Sequence, residues 1–132
     1  MTEVYADAFY WLATLNPDDV HYSRVSQHRV KGRLVTTTAV CLEVMDALCH
    51  RKLRPLAVRF WEDLQNNRLL TVVRLDDSQL TRAVDLFSHR MDKDWSLTDC
   101  ISFVVMKERS IRKALTGDHH FEQAGFEIAF QS

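Results

Sequence analysis

No run of apolar residues in this chain approaches the ~20 that a helix needs to cross a bilayer, so no membrane-spanning segment is expected. The opening residues, MTEVYADAFYW, carry acids and no basic stretch, and a secretory signal is not expected either. Cysteine is sparse. Cys41, Cys49 and Cys100 are odd in number, lack metal-type spacing and each lie in an apolar helical pattern. They read as buried free thiols in a reducing cytoplasm, not as a disulfide frame. An excess of positive charge is also missing. The net charge is -1, so a nucleic acid must be held by local basic patches, not by an overall field. No repeat, low-complexity tract or linker divides the chain, and 132 residues suit one domain, residues 1–132.

What is present is the alternation of two periods. The chain is 46% hydrophobic and 27% charged, a globular balance. Glu3 to Asp7 reads as a strand and Ala8 to Leu15 as a helix. Asn16-Pro17-Asp18 breaks that helix and starts another, through roughly Lys31. After Gly32, Arg33 to Thr36 reads as the second strand, and Thr37 or Thr38 caps a helix to about His50. That helix is apolar nearly all round and is expected to be buried. Arg51-Lys52-Leu53-Arg54-Pro55 is a basic turn leading into a helix whose face is Ala57, Phe60, Trp61 and Leu64. Trp61 is expected in the core. Leu69 to Leu75 is the clearest strand, Asp76-Asp77-Ser78 a turn, and Leu80, Ala83, Val84 and Phe87 the apolar stripe of the next helix. Leu97 to Arg109 predicts a further helix, with strands at Ile111 to Thr116 and Glu127 to Phe130. The alternation predicts an α/β sandwich around a parallel sheet.

Four acids fall where such a fold does chemistry. Asp7 ends the first strand, and position alone fits an N-cap of the next helix as well as a functional carboxylate. Glu43 lies in the apolar helix with Val40 and Ala47 on its face; a carboxylate so placed needs a partner or a metal. Asp46, on the same helix, is assigned to the solvated side. Ser96 and Asp99 form an S-x-x-D pair at a helix start, which reads as a capping box or as a site near the positive helix end. Asp118 follows Gly117 at a strand end, where both a turn residue and a ligand-facing acid are at home. His119 and His120 follow. Adjacent side chains point apart, and no zinc-like partner spacing exists, so a solvated or packing role is expected for both.

Taken together, Ser96-Leu97-Thr98-Asp99-Cys100, Ser102-Phe103, Ala114-Leu115-Thr116-Gly117-Asp118, His120-Phe121 and Ala124-Gly125-Phe126 resemble the C-terminal half of a PIN domain. This is the nuclease fold of VapC-like toxins. The resemblance covers essentially the whole chain, most strongly from Trp95 onward and from Thr37 to Leu48. It implies a three-layer α/β/α sandwich around a mostly parallel, about five-stranded sheet. It also implies that Asp7, Glu43, Asp99 and Asp118 form one acidic metal site. Family members usually carry Ser or Thr two residues after the first acid; here Asp7-Ala8-Phe9 lacks that hydroxyl.

Clustered carboxylates raise one another's pKa, and a divalent cation reverses this. Oxygen donors suit Mg2+ or Mn2+. Such an ion activates water and offsets charge on a phosphodiester. The expectation is therefore an Mg2+-dependent endoribonuclease, with Ser96, Thr98 and Asp94 supporting the acids. Arg51, Lys52, Arg54, Lys107, Arg109 and Arg112 are candidates for the RNA backbone. The resemblance further implies a cognate antitoxin and a homodimer. A housekeeping RNA-processing nuclease, a silent PIN-like binding module and a receiver-like phosphoacceptor remain as alternatives.

Overall fold

The structure, a computed structural model, describes residues 2–131. Twelve elements alternate along the chain: β1 Glu3–Ala6, α1 Ala8–Leu15, α2 Tyr22–Ser26, β2 Arg33–Thr37, α3 Thr38–Ala47, α4 Arg54–Asn66, β3 Leu70–Val73, α5 Asp77–His89, α6 Leu97–Glu108, β4 Lys113–Leu115, α7 His120–Gln123 and β5 Glu127–Ile128. The five strands form one sheet in the order β3-β2-β1-β4-β5, and every neighbouring pair is parallel. The fold is the expected α/β sandwich, its sheet fully parallel.

Strand alternation sorts the side chains into two layers. Val4, Ala6, Leu34 and Leu115 pack with Ala13 of α1, Val25 of α2 and Phe130. On the other face, the fully buried Tyr5 sends its hydroxyl to Ser102 of α6 at 2.7 Å and Thr37 at 3.3 Å. Phe103 of α6 meets Phe121 of α7 edge-on at 5.0 Å and Trp95 at 5.0 Å, an arrangement favoured by the ring quadrupoles. The chain leaves β1 in one direction for β2 and β3, and lies in the other for β4 and β5. The switch point therefore falls between β1 and β4, and ligands of open parallel sheets sit at its carboxyl end.

Several local expectations are corrected. The helix expected after Pro17 shrinks to Tyr22–Ser26. Asn16 Oδ1 accepts the Asp18 amide and Asp19 Oδ1 accepts the His21 amide, and these side-chain turns take up amides a helix would need. Helix α3 stops at Ala47 and is not buried all round: Leu42 is 65% exposed, and Glu43 also reaches solvent. Cys41 and Cys100 are buried as expected, but Cys49 is exposed. Trp61 is half exposed, not core, because α4 turns Ala57, Phe60 and Leu64 inward instead. On α5 the packed face is Gln79, Ala83 and Leu86, while Leu80, Val84 and Phe87 face water. Asp76 is not a simple turn residue but the N-cap of α5, in a reciprocal capping box with Gln79.

Candidate active site

At the end of β1 the chain enters α1, and Asp7 occupies the N-cap position without a side-chain capping bond. Its carboxylate is 6% exposed and accepts the Thr116 hydroxyl at 3.0 Å. Thr116, fully buried beyond β4, also accepts the Asp118 amide at 3.0 Å. One hydroxyl thus ties the two strand ends together. Accepting the amide leaves its own proton to point at Asp7.

From Asp118 the network runs onward. Its Oδ1 accepts the His120 amide at 2.9 Å, a local turn that starts α7. The His120 ring places Nδ1 3.1 Å from Asp99 Oδ2 and 3.4 Å from Asp118 Oδ1. Asp99 stands in the first turn of α6, where Ser96 Oγ accepts its amide and its own Oδ2 accepts the Ser96 amide at 3.1 Å. Asp99 thus closes the capping box at the start of α6 and also meets His120.

The electrostatics tie in Glu43 from α3. Burial pushes the Asp7 carboxyl up to about 7, and the charges of Glu43 and Asp99 add to this, against the Ala8 amide and the Thr116 hydroxyl. Partial desolvation, followed by Asp99 and Asp118, raises Glu43. Desolvation raises Asp99 as well, with Asp118 adding and His120 opposing. Carboxylates in this state lack positive charge. Among the described residues no lysine or arginine pairs with any of the four acids; His120 alone does. The donor set fits a divalent cation: Asp99, Asp118 and His120 each offer a ligand atom, all within 4.8 Å of one another.

The remaining sequence candidates divide by position. Ser96 serves the helix start, Thr98 sits half-buried in the first turn of α6, and Asp94 is exposed before it. Lys107, Arg109 and Arg112 do not join the acids. Arg109 forms a two-pronged pair with Glu3 at the amino end of β1, and Arg112 precedes β4. At 1.5 Å per helical residue, Arg109 lies roughly 15 Å along α6 from Asp99. Arg54 donates to the Cys49 carbonyl, closing the α3–α4 turn, while Arg51 and Lys52 are exposed in that turn.

Sequence reasoning missed Thr116 and His120. For Thr116 the signal was the absent hydroxyl at position 9, which asks for another from elsewhere. For His120 it was the Asp-x-His spacing, since Asp118 turns the next residues inward through its own side chain. His119 is exposed, as expected of one member of an adjacent pair. Gly117 proves more than punctuation. A Cβ there would lie 2.8 Å from the Phe9 ring and 3.1 Å from the Phe130 carbonyl oxygen.

Comparisons with known proteins agree with this architecture. The PIN domain family model matches residues 4–127. The VapC20 toxin of Mycobacterium tuberculosis, which cleaves the sarcin–ricin loop, superposes with a TM-score of 0.86 at 21% identity, over 93% of this chain and 95% of that one. FitAcB from Neisseria gonorrhoeae gives 0.67 at 13% identity, over 95% of both chains. VapBC2 from Rickettsia felis, bound to a DNA fragment from its promoter, gives 0.69 at 8% identity, over 96% of this chain and 97% of that one. These likenesses are of fold. No curated protein matches the chain significantly in sequence.

Proposed function

Because the chain belongs to the PIN domain family, we propose that it acts, as one domain over residues 1–132, as a divalent-metal-dependent endoribonuclease and as the toxin of a toxin–antitoxin pair. What supports this reading is the approach of Asp99 and Asp118 to His120, the tie of Asp7 to Asp118 through Thr116, and the electrostatic coupling of Glu43 to Asp99 and Asp118, with no lysine or arginine paired to these acids among the described residues. A bound Mg2+ or Mn2+ supplies the missing positive charge, and Lewis-acid stabilisation of the phosphodiester. The chain's own residues do the holding. Thr116 fixes Asp7, Ser96 fixes Asp99, and the Asp118 turn fixes His120.

The substrate and partner readings follow relatives by name. VapC20 cleaves an RNA loop, and single-stranded loops are where RNA sequence is open to reading. The VapBC neighbour is a toxin–antitoxin complex, which supports an antitoxin partner here. Arg51 and Lys52 remain the exposed sequence candidates for RNA phosphates. Arg74, exposed just past the carboxyl end of β3, is a further candidate. No helix among the described residues is long and apolar enough to cross a membrane. We place the activity in the cytoplasm and in a homodimer.

The test is cleavage of a panel of structured RNAs by the purified chain, with Mg2+, Mn2+ or EDTA, beside Asp99→Asn. Metal-dependent cutting that disappears in the variant supports the proposal. Folded protein that cuts nothing under either metal shifts the reading to a silent binding module. Cutting that persists in Asp99→Asn removes this site from the reaction.

A further inference from the structure

His120 approaches two of the acids more closely than any cationic side chain does, and its geometry is not that of a surface ion pair. Its side chain is 25% exposed and that of Asp99 12%, and both contacts converge on the same ring atom, Nδ1. An imidazole nitrogen and two carboxylate oxygens this close are held either by a shared ring proton or by a shared cation, and the three donor atoms lie within 4.8 Å of one another, as a cation's ligands do. We propose that His120 Nδ1 is a ligand of the same cation as Asp99 and Asp118. The site is then a mixed nitrogen–oxygen centre that selects Mn2+ over Mg2+. This rests on reading the site as a divalent-metal centre.

The separations fit. With ligand bonds of about 2.1 Å, neighbouring donors of an octahedral ion lie about 3 Å apart. The observed separations of Nδ1 from the two acids are 3.1 and 3.4 Å. The ring is also held in place before any ion arrives. Its own amide is anchored on Asp118 Oδ1, and the next residue, Phe121, is fully buried against Phe103. One turn on, Gln123 accepts the Trp95 indole N–H at 3.0 Å. A solvated histidine needs none of this anchoring, and the exposed His119 beside it has none of these contacts.

The selectivity follows from donor chemistry. Mg2+ favours oxygen ligands and keeps its waters, whereas imidazole suits the transition metals, and affinity for such sites rises from Mn2+ onward along the first row. Replacing one oxygen by Nδ1 therefore favours Mn2+ over Mg2+ at otherwise equal charge.

The experiment loads the full chain with Mn2+ and reads pulsed electron paramagnetic resonance for coupling to a directly bound 14N. Binding of Mn2+, and its competition by Mg2+, are titrated on the same samples. Wild type is expected to show the nitrogen coupling, and so is His119→Ala. In His120→Ala and His120→Gln the coupling disappears and Mn2+ affinity falls at least about tenfold, the scale on which even outer partners of metal ligands matter. Mg2+ affinity changes by less than about threefold, and circular dichroism stays that of wild type. Mn2+ bound without nitrogen coupling overturns the proposal and leaves the metal site standing. Equal losses for both ions overturn the selectivity. Failure of wild type to bind Mn2+ removes the metal reading itself.

Discussion

Thr116 shows how little chemistry an active-site support requires. Its one hydroxyl accepts from Asp118 and donates to Asp7, so no isosteric apolar residue can replace it. Thr116→Val leaves the half-buried Asp118 amide without its acceptor and takes a donor from the buried Asp7 carboxylate. Its expected cost is about 1–3 kcal/mol in urea unfolding, together with weaker Mn2+ binding, whereas Thr116→Ser keeps both bonds and most of both properties. Asp7 allows a sharper test. Its folded-state pKa, about 7, lies above the ordinary carboxylate value, so the folded state binds the proton more tightly than the unfolded one. The sign follows: stability is greatest below the unfolded pKa and is lost as pH rises towards and through 7. At ~1.4 kcal/mol per pKa unit the loss amounts to several kcal/mol in EDTA. Asp7→Asn removes this dependence, so its midpoint in EDTA should exceed that of wild type at pH 8 by more than at pH 5. A wild-type midpoint flat between these values would refute the buried, uncompensated state of Asp7. At this scale the four acids could be named as candidates because residue type and position along the chain are one-dimensional. Thr116 and His120 were not, because each acts across the chain, through contacts 109 and 21 residues away.

Among the elements, α6 was read almost to the residue, because Ser96 and Asp99 cap it and Phe103, Val105 and Met106 fill its buried side. Ser96→Ala should cost about 1 kcal/mol in thermal or urea unfolding, as lost caps do, and should also loosen Asp99. Helix α5 was read out of phase, and the reason is physical. Two stripes share Ala83, the expected Leu80-Ala83-Val84-Phe87 and the observed Gln79-Ala83-Leu86, and hydropathy favours the first. Packing favours the second, because Ala83 lets α6 approach and Gln79 both closes the capping box and donates to Glu108. Ala83→Leu is therefore expected to destabilise by about 1–3 kcal/mol through overpacking. Leu80→Ser stays within about 0.5 kcal/mol, as exposed positions do. Chemical denaturation of dilute protein separates the two, and the reverse ranking would mean that the sequence stripe, not the observed one, is packed. Helix α2 was overextended for a different reason: Asn16 and Asp19 spend their side chains on local turns, which a helical pattern cannot register.

In the whole molecule, the parallel sheet separates two poles. The acids stand at the carboxyl ends of the strands, while Arg109, Arg112 and Lys113 gather at the amino ends, where Glu3 already holds Arg109. The sequence showed both sets of charges, but their separation required the direction of α6. A third feature lies on the flank. Among the described residues, the large exposed apolar side chains apart from Val20 fall between Leu42 and Met91: Leu42, Val58, Trp61, Leu69, Leu80, Val84, Phe87 and Met91. They belong to the elements around β3, an edge strand whose outer backbone groups have no neighbour in the sheet. Apolar surface of this kind on a chain with net charge -1 favours association, and a homodimer is the simplest closed assembly that covers it. The wild-type chain should then sediment at twice its 15.4 kDa mass at micromolar concentration. Paired substitution of Val84→Glu and Phe87→Glu should return it to the single-chain mass with its circular dichroism unchanged, since neither residue packs in the core of the chain. A wild-type chain that sediments at the single-chain mass would refute this reading of the exposed apolar residues.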